Sequence, residues 1–124
     1  MINVLNSTKI KSTVSSKKLQ EIKDGVLGKR YELSVVLVNN KESRKLNKKN
    51  RNKNKPANVL SFPLEENSGE IFLDLETKDE AVKFEMGYKK YLIFLFIHGC
   101  LHLKGYDHGP DMEKMEDKFL KKFY

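Results

Sequence analysis

A chain of 124 residues is long enough for one compact domain with its own core and too short for two ordinary ones. Apolar residues make up 39% of it and charged residues 33%, a balance that suits a folded soluble protein, argues against disorder and leaves no run near the roughly 20 apolar residues that cross a bilayer. The net charge of +7 is uneven: residues 1–55 carry 15 Lys and Arg against 4 Asp and Glu, a net of +11, while residues 56–124 carry 9 against 13, a net of −4.

Such a basic half favours phosphate-rich partners, the alternative being a merely solvated lysine-rich surface. The opening residues, MINVLNSTKIKST, lack the layout of a secretion signal. A single cysteine, Cys100, cannot form an internal disulfide. Both features lead to the expectation of a cytoplasmic protein with no membrane contact.

In chain order, Ser16–Lys29 places Leu19, Ile22, Val26 and Leu27 at spacings of three and four, with Ser15 or Ser16 as N-cap and Gly28 near the end, and predicts an amphipathic helix. Tyr31–Val38, rich in β-branched residues, predicts a buried strand. Lys41–Lys49 predicts a helix with Leu46 as its main apolar contact. Asn58–Phe62 predicts a short strand that Pro63 stops, and Gly69–Leu75 another. Asp79–Met86 and Tyr88–Leu103 predict helices, the second almost wholly apolar between Tyr91 and Ile97 and therefore central, although periodicity alone also permits a strand there. Asp111–Phe123 closes the chain as an amphipathic helix with Met112, Met115, Phe119 and Leu120 on one stripe. The expected fold is a single α+β domain over residues 1–124. Its sheet of three or four strands is mostly antiparallel or mixed, packed with about five helices around a central buried helix.

That central helix carries the chemistry. All three histidines, His98, His102 and His108, fall within HGCLHLKGYDH. His98 and His102 stand at i and i+4, so on a helix their rings project from one face about 6 Å apart, close enough to share a metal ion. Gly105 can end the helix in a left-handed turn that brings His108 back to the same ion. Three imidazoles with no cysteine suit zinc at an open site, although nickel, copper and cobalt accept the same ligands. Cys100, at i+2 from His98, points away from the ligand face and reads as a small buried residue.

The spacing HxxxHxxGxxH is also that of metzincin proteases, whose general base is a glutamate immediately after the first histidine. That position is Gly99, so the main proton acceptor for peptide hydrolysis is missing.

HGCLHLKGYDH and, upstream, RNKNKPANVLSFP resemble the two hallmark segments of the YbeY family of bacterial metal-dependent endoribonucleases, in the right order. The resemblance extends over nearly the whole chain. It implies a mixed α/β domain, zinc held by His98, His102 and His108, an important arginine at Arg51, and a role in maturing the 3′ end of small-subunit ribosomal RNA and in ribosome quality control. Cys100 and Glu70 depart from the residues usual in the family, an aliphatic one and an aspartate, and Glu70 bears on the details of the cleft.

Elementary chemistry agrees with that implication. Phosphodiester cleavage needs an activated nucleophile and stabilisation of charge on the phosphate; a metal serves the first and an arginine fork the second. Arg51 and His98 are the catalytic candidates. The run Lys41–Lys55, with 8 basic residues and one acidic, would guide RNA through counterion release, with Lys53, Lys55, Asn58 and Ser61 as weaker substrate contacts. Tyr88, Tyr91 and Phe62 are candidates for base stacking or for the core. Asp107 could orient a ligating ring or cap the last helix or its loop. The leading expectation is a monomeric zinc-dependent, single-strand-specific endoribonuclease acting on ribosomal RNA and the small subunit. The alternatives are a ribosome-associated RNA-binding factor with a structural metal, and a metal-dependent hydrolase of another substrate.

Overall fold

The structure, a computed structural model, describes residues 1–124. Its elements are β1 (Ile2–Asn6), α1 (Ser16–Leu27), β2 (Glu32–Val38), α2 (Asn40–Arg51), β3 (Val59–Glu65), β4 (Ser68–Asp74), α3 (Lys78–Lys83), α4 (Tyr88–Lys104) and α5 (Pro110–Phe123). The four strands form one sheet in the order β1-β2-β4-β3, with β1, β2 and β4 parallel and β3 antiparallel to β4. The α+β class and five helices match the sequence reading, and the sheet is the mixed one of the two forms expected.

Three local expectations are corrected. β1 was not anticipated: five residues flanked by polar sequence carry too short a pattern, but Ile2 and Val4 turn inward and pair with Leu33 and Val35. Pro63 does not stop β3, which continues to Glu65 with an irregularity between Pro63 and Glu65. β3 is an edge strand, where a proline's missing N–H can face away from the ladder. In α2 the buried positions are Ser43 and Asn47, with Leu46 only half-buried.

Those two polar residues hold the following loop. The Ser43 hydroxyl donates to the Ala57 carbonyl at 2.5 Å and accepts from the Ala57 N–H at 2.9 Å. The Asn47 amide donates to the Lys55 carbonyl at 2.8 Å. Residues 52–57 are thereby fixed to the helix that precedes them.

Strand alternation puts Leu33, Val35, Leu37, Ile71 and Leu73 on one face of the sheet, where α1 and α4 pack. Leu92, Ile93, Phe96 and Ile97 of α4 are no more than 1% exposed, and each such burial is worth about 1.5–3 kcal/mol. Lys23 of α1 is also fully buried. Its ammonium donates to the carbonyls of Gly28, Lys29 and Tyr31 at 3.2, 3.2 and 3.1 Å and pairs with Asp24 at 2.7 Å. A buried cation so completely satisfied closes the C-terminal end of α1.

Asp74, at the end of β4, is buried, with one oxygen accepting the Glu76 N–H at 2.8 Å and the other without a partner. Burial raises its pKa to about 6 from 3.8. Between those values the folded chain binds the proton more tightly than the unfolded chain, so unfolding releases it and stability falls as pH rises through the window. Asp74→Asn should therefore flatten the stability profile between pH 4 and 6 and raise stability at pH 7 by about 1–2 kcal/mol, measured by urea denaturation across that range.

Candidate metal centre and cleft

Helix α4 is apolar around most of its circumference, and the stripe left half-exposed carries His98 and His102. Gly105 ends the helix at φ 111°, and the Tyr106 N–H bonds back to the Leu101 carbonyl at 3.0 Å. This turn returns His108 to the same place. The three ring centroids lie 4.6, 4.8 and 5.2 Å apart, and the ligand nitrogens lie within 4.8 Å of one another.

Hydrogen bonds choose which nitrogen is free. His98 Nδ1 is 2.5 Å from a carboxylate oxygen of Glu116, and His102 Nδ1 is 3.0 Å from the Tyr106 carbonyl. Both partners are acceptors, so each Nδ1 carries the proton and each Nε2 presents a lone pair. With both rings neutral, the two Nε2 lone pairs face each other at 3.1 Å. Two converging lone pairs repel unless a cation lies between them, and a tetrahedral zinc with bonds near 2.0–2.1 Å would separate its nitrogens by about 3.3 Å. The donor set therefore fits zinc, and His108, exposed, completes three ligands. Burial and the neighbouring His98 push the His102 pKa below its ordinary value, keeping that ring neutral and able to ligate near pH 7.

Glu116 is the residue the sequence reading missed. It sits on the inward face of α5 with Met112 and Phe119, and is 8% exposed. Asp107, the carboxylate expected to orient a ligating ring or to cap, is exposed and makes no hydrogen bond to a histidine, and the α5 N-cap is Gly109. The i+4 step from Met112 to an acidic residue in an apolar stripe was the available signal.

A cleft of about 270 Å³ is lined by Arg51, Val59, Leu60, Ser61 and all three histidines. Arg51, from the last turn of α2, thus shares the cleft with ligands nearly 50 residues away. Lys53 and Lys55 line an adjoining cavity of about 410 Å³ together with Arg51 and Asn58. The Asn58 amide donates to the Tyr91 hydroxyl at 2.9 Å, and the Ser61 hydroxyl donates to the Gly99 carbonyl at 3.1 Å. Both residues therefore brace α4 against β3 as well as facing the cavities. Tyr91 is core. Tyr88 donates to the Leu75 carbonyl and lines a separate cavity. Phe62 packs edge-on against Phe72 at 5.8 Å, on the sheet face away from α4, and Glu70 alternates onto that face too. Cys100 is fully buried, and burial pushes its thiol pKa up.

A family model described as Endoribonuclease YbeY matches residues 2–124. The chain belongs to the YbeY family. Proteins named Endoribonuclease YbeY from Colwellia psychrerythraea and Neorickettsia sennetsu are 44% and 40% identical to it over 94 and 107 residues, covering 69% and 77% of this chain. The aligned segments span 61% of the Colwellia protein and 75% of the Neorickettsia one. The solution structure of TM1509 from Thermotoga maritima superposes on 99% of this chain and 89% of its own, with a TM-score of 0.69 and 32% identity.

Gly99 explains why this YbeY-family helix has no metzincin glutamate. A Cβ there would stand 3.0 Å from Ser61 Oγ, 3.1 Å from Val59 Cγ2 and 3.2 Å from Ile71 Cδ1. The position faces the sheet, away from the ligand stripe, and has no room for a side chain. Gly99→Glu should cost more than about 2 kcal/mol by overpacking and yield no peptidase, as thermal denaturation and a casein assay would show.

Glu116→Ala should weaken zinc binding by about 10- to 100-fold, with Glu116→Gln less affected because its amide oxygen still accepts from Nδ1. Competition against a chromophoric chelator measures both; equal affinity in all three proteins would remove Glu116 from the centre.

Proposed function

We propose that this chain is a zinc-dependent, single-strand-specific endoribonuclease that matures the 3′ end of small-subunit ribosomal RNA and serves ribosome quality control. We further propose that residues 1–124 act as one catalytic domain, cytoplasmic and monomeric, on ribosomal RNA in or near the small subunit. The observation that carries the reading is the meeting of three imidazoles and Arg51 in one cleft. Family membership supports the nuclease class.

In this reading His98, His102 and His108 hold the metal, which when bound supplies a Lewis acid and brings the pKa of water towards about 7. Glu116 fixes the His98 ring through Nδ1 and adds a negative charge that strengthens Nε2 as a donor. The Arg51 guanidinium presents paired N–H groups to phosphate oxygens and opposes the charge that builds on them as the bond breaks. Lys53 and Lys55 extend the positive wall along which a strand can run, while Asn58 and Ser61 hold the cavity's shape. The ligand set is open to solvent at His108 and lacks the thiolates typical of closed structural sites, which favours a catalytic over a structural metal.

The test is cleavage of a labelled single-stranded RNA, and of its duplex, by zinc-loaded protein purified beside His98→Ala and Arg51→Ala. Expected are cleavage of the single strand only, loss with His98→Ala, and a fall of about 10²-fold in kcat/KM with Arg51→Ala. Equal rates in all three would refute the assignment. Retention of zinc by Arg51→Ala would place its defect on the phosphate.

A further inference from the structure

Beside the histidines lies a cavity of about 480 Å³ with two chemically different walls. One wall is aromatic. Phe84, Tyr91, Phe94 and His98 follow one another with centroid separations of 5.5, 6.2 and 6.3 Å, and the angles between successive planes are 24°, 22° and 35°. Tyr91 is buried and held at its hydroxyl by Asn58. Phe94 is half-buried, and Phe84, at the end of α3, is 55% exposed. A file of rings thus runs from open surface to a metal ligand. The other wall holds Arg51, which also borders the cavity of Lys53 and Lys55.

A single-stranded nucleic acid has the same asymmetry, with phosphates along one edge and flat apolar faces along the other. A duplex cannot use such a wall, because its bases are already stacked inside. Glu80 also lines the cavity, 3.2 Å from Lys83. It also borders the cavity of Arg51, Lys53 and Lys55, so it stands between the two and offers an acceptor to an exocyclic amino group of a base.

We propose that Phe84 and Phe94 form a stacking subsite for the base of the nucleotide next to the phosphate that Arg51 binds. The inference rests on the endoribonuclease reading above and deepens it: preference for single strands originates at this wall. Base stacking on an aromatic side chain tolerates any base, so the subsite sets strand form and register more than sequence.

The experiment uses zinc-loaded full-length chain and a set of short RNAs, each carrying 2-aminopurine or an abasic residue at one position. Binding is read by stopped flow before cleavage, and cleavage is followed in parallel. Wild type should quench 2-aminopurine at one position flanking the cut. Phe84→Ala should lose that quench and bind about 5- to 50-fold more weakly, and Phe84→Trp should restore both. An abasic residue there should weaken wild type and leave Phe84→Ala unchanged. Equal losses in the two proteins, or unaltered binding by Phe84→Ala, would overturn the subsite even if RNA is cleaved normally. Position-specific quenching without any cleavage would sustain the subsite and sink the nuclease reading instead.

Discussion

Everything at the site depends on how closely α4 lies against the sheet at Gly99. A Cβ at Gly99 would stand only 3.0–3.2 Å from side-chain atoms of Ser61, Val59 and Ile71, and the Ser61 hydroxyl ties the Gly99 carbonyl to β3. Helix α4 is at once the centre of the core and the carrier of two of the three clustered histidines. A side chain at this position must displace Ser61, Val59 or Ile71, and Ser61 and Val59 also line the cleft beside His98 and His102. Core packing and ligand geometry are therefore one problem here, because a close-packed interior transmits small displacements instead of absorbing them.

What could be read in the sequence divides by distance along the chain. The histidine cluster was legible because helical spacing and one glycine turn contain all of it within eleven residues. The central helix was legible because nothing but burial explains its apolar run. The parts that stayed hidden are pairings across long separations. Glu116 meets His98 from another helix, and in a one-dimensional pattern it is one more charge in a charged segment. Asp107 drew attention by adjacency to His108, yet proximity in sequence put it on the exposed side of a turn. Leu46 looked like the anchor of α2 because it is apolar, whereas the loop that needed holding offered carbonyls and an N–H, which only Ser43 and Asn47 could satisfy. The strand β1 is stabilised by the partner it pairs with, and five residues give no periodicity to detect.

The charge distribution acquires meaning from this geometry. The excess of 11 positive charges in residues 1–55 is, Lys23 apart, a property of surface, but the acidic C-terminal part places one nearly buried carboxylate, Glu116, directly behind His98. A metal held by three neutral imidazoles would keep its full positive charge, and Glu116, hydrogen-bonded to His98 Nδ1, would offset part of it. Such a centre would be cationic towards the cleft and partly neutralised towards the core, which limits the cost of placing it against a low-dielectric interior.

The origins of the parts also separate two properties that are often treated as one. The three ligands belong to one short segment, so their convergence needs only α4 and the turn at Gly105. Their alignment draws on α5, through Glu116, and the cleft's arginine, Arg51, on α2, whose following loop is fixed by the Ser43 and Asn47 staples. Disturbance of α5 would act first on the His98 ring; disturbance of α2 or its loop would leave the three imidazoles converged and act on the Arg51 side of the cleft. On the proposed reading the three imidazoles can stay converged while Arg51 is displaced, so metal content alone would be a poor measure of a competent site.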